Sequence, residues 1–242
     1  MADVLVQHTG NGIAEIILNR PDVNNAMDEN VIQLFTDALI KLECDDRVRV
    51  ICVKGAGKHF CSGADLNWMG RAIHFTREEN IADAEKLASL LEKLHNSVKP
   101  TIAMVQGATY GGGVGLVAAC DIAVATPDAK FCFPEVKLGL VPALISPYVI
   151  AAIGERQARR YFLTGEVFDA KRAKEIGLIH EIDGIGEEIL KLLLENSANA
   201  MKTVQSLFLG NQKLPELLAE IRTTADVKHR MGEFLNKKGV KK

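Results

Sequence analysis

The sequence predicts an α/β fold, with β-β-α units wound into a coiled stack in front and a segment of helices behind. Three observations carry this. Continuous β-branched runs alternate with stretches of helical period through the first half of the chain. Two of those runs end in glycine-rich turns. From Ser146 onward only helical periodicity is found. The division this implies is a core over residues 1–185 and a helical C-terminal segment over 186–242.

Each element has its own signal. Val4 to His8 and Ile13 to Leu18 read as a hairpin around "TGNG", a turn cluster. Val31, Leu34, Phe35, Ala38, Leu39 and Leu42 recur at helical spacing, with Asp28 placed to cap the start. "VRVICVKG", Val48 to Gly55, is a buried strand. Thr76 and Glu79 have capping-box spacing and lead a helix to about Asn96. "PTIAMVQG" is a second buried strand, Pro100 to Gly107; the glycine run and a short helix follow, then strand Asp121 to Thr126 and an extended piece Ala129 to Phe133. Helices are expected over 146–153, 155–163, 170–176, 185–209 and 214–237, with Asp169 as a cap and Gly177 as a stop.

Composition narrows the function. The chain has 242 residues, 48% hydrophobic and 25% charged, with net charge −2, which is not the basic excess of a nucleic-acid surface. The clusters at Arg156, Arg159 and Arg160 and at Lys237 to Lys242 read as a solvated face and a frayed end. Five scattered cysteines lack the pairing or spacing of a disulfide framework or a metal site, so no metal is expected, and a reducing compartment is. No apolar run approaches the roughly 18 residues of a membrane span, and the N-terminus lacks a secretory pattern, so a cytoplasmic location is expected.

The glycine turns are the chemical signal. Each follows a buried strand, where open α/β architectures place ligands. Around Gly111-Gly112-Gly113 a ligand atom can approach the backbone, and the helix that follows offers free N–H groups and a partial positive charge. The run therefore suits an anion or a developing oxyanion; tight strand–helix packing without a ligand is the alternative. Phosphate-loop, dinucleotide and nucleophile-elbow patterns are not met.

Five stretches together resemble the crotonase (enoyl-CoA hydratase/isomerase) superfamily: "LNRPDVNNAM" (18–27), "GKHFCSGADLNWM" (57–69), "KPTIAMVQGATYGGGVGLVAACDIAVAT" (99–126), "AKFCFPEVKLGLVP" (129–142) and "ARRYFLTGEVFDAKRAKEIGLIHEI" (158–182). Within it, "GGGVGLVAACDIA" and the stretch from Pro134 to Thr164 are similar to the 3-methylglutaconyl-CoA hydratase-like branch of leucine and isoprenoid breakdown. The resemblance implies a spiral of ββα turns with a helical C-terminal part used in trimer assembly, often as a dimer of trimers. It implies an acyl-CoA substrate, with coenzyme A part of the substrate and no separate cofactor. Carried over by position, the backbone N–H groups of Ala64 and Gly112 would hold the thioester oxygen, and Glu135 would move the proton. Ala26, Ser62, Asp65 and Leu66 would line the coenzyme; Gly111, Gly115 and Tyr110 would border the acyl group, with Trp68, Ser146 and Tyr148 nearby. Asp65 reads equally as a helix cap. No histidine, and not Cys61, has the partners of a nucleophilic site.

One position departs from the resemblance. Two-carboxylate hydratases carry a second glutamate three residues after the middle glycine; here Gly115 stands there. The expectation is a hydratase in which Glu135 works without that partner and Gly115 leaves room for a branched or carboxylated acyl chain. A one-glutamate double-bond isomerase and a CoA-binding or RNA-binding protein without turnover are the alternatives.

Overall fold

The computed structural model describes residues 2–182, 185–210 and 213–238. The chain opens with β1 (Val4–Gly10) and β2 (Ile13–Leu18), then α1 (Glu29–Glu43) and β3 (Val50–Gly55). Helices α2 (Leu66–Ala72) and α3 (Arg77–His95) lead to β4 (Thr101–Val105), β5 (Ala108–Tyr110) and α4 (Gly112–Ala119). Next come β6 (Ile122–Ala125), β7 (Lys130–Cys132), a 3₁₀ turn Glu135–Leu138, α5 (Ser146–Thr164), β8 (Phe168–Asp169), α6 (Ala170–Glu175) and β9 (Glu181–Ile182). Four helices end the described chain: α7 (Ile185–Glu195), α8 (Ala198–Leu207), α9 (Leu214–Thr223) and α10 (Ala225–Lys237).

The strands form a six-stranded sheet in the order β1-β2-β3-β4-β6-β9 and a three-stranded sheet in the order β5-β7-β8. Only β1 runs antiparallel within the larger sheet; its neighbours from β2 to β9 are parallel. Register places Ile16, Val53, Ala103 and Ala123 in one row, all buried in the main core. The opposite face holds Cys52, Ile102 and Val124, and Ile189, Leu190, Leu193 and Leu194 of α7 cover it. Burial on both faces explains why β3 and β4 read as continuous apolar runs rather than alternating ones.

The caps expected from the sequence form. Asp28 Oδ1 accepts from Val31 N–H at 2.9 Å, Thr76 and Glu79 close a capping box, and Asp169 caps α6. Gly177 follows α6 with φ 89°. Two readings change. The run over 185–209 is two helices, because the Ser197 side chain accepts from Ala200 N–H and starts α8. The run over 214–237 is likewise split where Thr224 caps α10. The two helices expected on either side of residue 154 form within α5, parted at Gly154, whose φ 75° and ψ 154° are not helical. The boundary placed at residue 185 falls at the first residue of α7, whose apolar face belongs to the sheet.

Side chains bolt the last helices to the core. Arg49 donates to the carbonyls of Leu194 and Asn196 at the end of α7, and Arg230 donates to those of Glu195 and Asn196. Gln205 of α8 donates to Asp121 at 2.8 Å. No described residue of α9 or α10 is buried. Among the described residues, no helix is long and apolar enough to cross a membrane, and no group of His, Cys, Asp and Glu is placed to hold a metal.

Candidate active site

The two glycine turns meet. After β3 the chain loops back so that Phe60 N–H donates to Gln106 O at 2.8 Å and Cys61 pairs with Thr109 of β5. Met27 N–H then donates to Gly63 O and Asp65 N–H to Met27 O, both at 2.8 Å. Ala64 is held between these bonds, while its own N–H donates to no backbone carbonyl among the described residues. On the other side, Gly111 donates to Cys132 O at 3.0 Å and turns with φ 50°, and α4 starts at Gly112 with the free N–H of a first turn.

Each glycine of the run answers to a different neighbour. A Cβ on Gly113 would lie 2.6 Å from Cys61 O, a backbone contact that cannot yield. On Gly111 it would lie 3.1 Å from Glu135 Oε1. On Gly112 it would lie 2.9 Å from Met27 Cε, projecting toward Met27 and Leu87. The run thus permits loop-on-loop packing at residue 113 and the close approach of the Met27 side chain at residue 112.

Ala64, Gly112 and Glu135 line one cavity of about 170 Å³. Glu135 reaches it from the 3₁₀ turn that Pro134 begins, behind the fully buried Phe133. Its Oε2 is buried with no hydrogen-bond partner. Burial pushes the carboxyl above its ordinary range, against a smaller opposing effect of its own backbone N–H. Met27, Trp68, Leu87 and the segment Val141–Ile145 supply the rest of the wall. Trp68 is fixed by donating Nε1–H to Asp83 at 3.2 Å. Glu135 is the only titratable side chain in the described lining. A larger hollow of about 580 Å³, where β3, β4 and β6 meet α7, includes none of Ala64, Gly112 and Glu135.

The other expected site residues divide. Asp65 is a cap: Oδ1 accepts from Asn67 and Trp68 N–H, and Oδ2 pairs with Arg20 at 3.0 Å. Burial opposes its charge, but those backbone and guanidinium hydrogen bonds outweigh it and hold the carboxyl below its ordinary value. Arg20 also donates to Ala26 O, so one guanidinium joins both expected coenzyme segments. Leu66 is 82% exposed at the start of α2, and Ser62 is exposed enough to donate only weakly to Val23 O at 3.5 Å. Tyr110 and Gly115 are not part of the cavity lining, and the room expected beside Gly115 is filled by Ile145, onto which a Cβ there would fall. Ser146 donates to Ala143 O, and Tyr148 packs edge-on against His95. Cys61 is fully buried, which pushes its thiol up to about 12, the value of an inert packing residue. Met27, Leu87, Leu144 and Ile145 were not marked by the sequence; their role arises where three distant segments close on one another.

Ala64, Gly112 and the half-buried Glu135 carboxyl share one largely apolar cavity; backbone amides and a carboxyl so placed can stabilise charge on an oxygen while a proton moves beside it. The enoyl-CoA hydratase/isomerase family model matches residues 8–239, and the chain belongs to that family. The crystal structure of an enoyl-CoA hydratase from Shewanella pealeana is 38% identical and superimposes with a TM-score of 0.92, covering 98% of this chain and 94% of that one. A mitochondrial Delta(3,5)-Delta(2,4)-dienoyl-CoA isomerase of Dictyostelium discoideum is 32% identical over 80% of this chain and 71% of its own. An enoyl-CoA hydratase of Alternaria alternata is 35% identical over 76% of this chain and 60% of its own.

Proposed function

We propose that the protein adds water reversibly across the 2,3 double bond of an enoyl-CoA thioester. Ala64 and Gly112 N–H groups hold the thioester oxygen, and Glu135 is the acid and base. The observation that carries this reading is the convergence of these three residues on one cavity. The Glu135 carboxylate takes a proton from water, and the water oxygen bonds to the β-carbon. The electron pair of the double bond moves toward the thioester oxygen, whose charge the two fixed amides stabilise. The protonated Glu135 then gives its proton to the α-carbon and the carbonyl reforms, so the net change is one added water. One such amide donor is worth about 10²–10³ in rate. A carboxyl raised by burial both accepts and returns a proton at working pH.

Apart from Glu135 the described lining is uncharged, which supports an apolar, short or branched acyl group. The carboxylate of 3-methylglutaconyl-CoA, the substrate expected from the resemblance, would have to find its cation outside that lining. Coenzyme A enters as part of the substrate. The exposed apolar residues of α8 to α10, among them Phe208, Leu214, Leu218 and Phe234, support assembly as a homotrimer or a dimer of trimers.

The same lone carboxylate supports a second reading, migration of a 3-enoyl to a 2-enoyl bond by one proton shuttle; an isomerase relative is nearly as similar as the hydratases. Turnover in ¹⁸O-labelled water separates the two. Hydration places label in the product, whereas isomerisation raises the 2-enoyl absorbance without label. Absence of any change with a panel of enoyl-CoA thioesters would overturn both.

A further inference from the structure

Ile145, the residue just before α5, is part of the cavity wall and 3% exposed. A Cβ on Gly115 would overlap its Cγ2, lie 3.0 Å from its Cβ and 3.6 Å from Leu91 Cδ2. Leu91 of α3 is fully buried. The isoleucine is therefore wedged between α4 and α3, and the glycine is what admits it. The bare Cα of residue 115 leaves no space for a ligand, because a branched side chain of the same protein already fills it. That side chain also faces the cavity shared by Gly112 and Glu135. The cavity, about 170 Å³, is smaller than the roughly 300 Å³ at which pockets for drug-sized ligands begin.

We propose that Ile145, seated on Gly115, is the specificity-determining residue of the acyl cavity: it closes the apolar end between α3 and α4 and limits the length of acyl chain admitted. This rests on the acyl-CoA reading above. Trimming Ile145 opens volume bordered by Gly115 and Leu91, an apolar space suited to hydrocarbon rather than water.

The experiment measures binding of saturated butyryl-, hexanoyl- and octanoyl-CoA by calorimetry, which needs no turnover. It uses the wild type, Ile145→Val, Ile145→Ala, Gly115→Ala and the Gly115→Ala/Ile145→Ala double variant. Ile145→Ala is expected to shift preference toward the longer thioesters by about 4- to 15-fold, the equivalent of one to two newly buried methylenes. Ile145→Val, which keeps Cγ2, shifts it less. Gly115→Ala binds all three thioesters more weakly than the wild type, and the double variant recovers binding at least tenfold over it. An unchanged length preference in both Ile145 variants, or an equal loss for all three thioesters as for a packing residue, would overturn the inference while leaving the wild-type activity reading intact. Normal binding by Gly115→Ala would overturn it as well. A wild type that binds none of the thioesters overturns the acyl-CoA reading first, and this inference with it.

Discussion

Glu135 keeps one carboxylate oxygen buried without a partner, and burial raises its pKa. The consequence has opposite signs for work and for stability. A raised folded-state pKa means that the fold favours the protonated form. The stability this contributes is complete below the unfolded carboxyl value, about 4.3, and is lost as pH rises through the folded value. The proposed hydration needs the carboxylate, so kcat/KM should rise through that same interval, above the usual carboxylate range. Glu135→Gln is expected to lower kcat/KM by about 10²–10⁴ and yet to melt no lower than the wild type at pH 7 and above. Thermal melts of both proteins at several pH values, beside the rate profile, check this. A Glu135→Gln protein with undiminished turnover would remove the residue from the mechanism. At this scale the meeting of Ala64, Gly112 and Glu135 on one cavity was anticipated through the family resemblance rather than from the residues alone. Met27, Leu87 and Ile145 were not: no pattern distinguishes one apolar residue facing a cavity from its neighbours facing the core.

Between elements, what matters is how closely two loops approach. Gly113 lets α4 rest on the Cys61 carbonyl, so Gly113→Ala should cost about 1–3 kcal/mol by overpacking and displace Gly112 from its partner loop. Loss of turnover greater than the loss in Tm explains is the result to look for. Asn25 supports the same loops from beneath. It is buried with φ 56°, accepts from Arg20 N–H, and donates to the carbonyls of Ala56 and His59. Asn25→Ala leaves those three half-buried groups without this partner and is expected to cost about 3 kcal/mol, about 1 for each group; denaturant unfolding measures it. Helix starts with a side-chain cap were readable from sequence, as at Asp28, Thr76 and Asp169. Helix α2 was marked only by Asp65 as a possible cap, since seven residues with only Trp68 buried show no period. The strands Phe168–Asp169 and Glu181–Ile182 are shorter than any alternation pattern. The breaks at Ser197 and Thr224 were hidden because apolar spacing continues across both caps.

For the molecule as a whole, the C-terminal helices present an apolar surface that one chain does not cover. Phe208 is 77% exposed, and Leu214 and Phe234 are more than half exposed. Light scattering should give an integral multiple, three or six, of the 26.4 kDa protomer. A Phe208→Asp/Phe234→Asp variant should shift toward the single protomer, and a wild type that stays monomeric at micromolar concentration would contradict the assembly. The spiral core was readable because its strands are buried on both faces and its turns are rich in glycine. Which chain covers the last helices was not, since a surface meant for a partner has the same composition as one meant for the core.

Helix α7 has a further bearing on how the chain is made. Residues of α7 shield Cys52, Ile102 and Val124 of strands made earlier in translation. A nascent polypeptide exposed only as far as residue 182 would carry a naked, sticky sheet waiting for its lid. Chaperone demand should therefore persist until α7 has emerged, and a fragment ending at residue 182 should bind a hydrophobic dye or precipitate where residues 1–242 do neither.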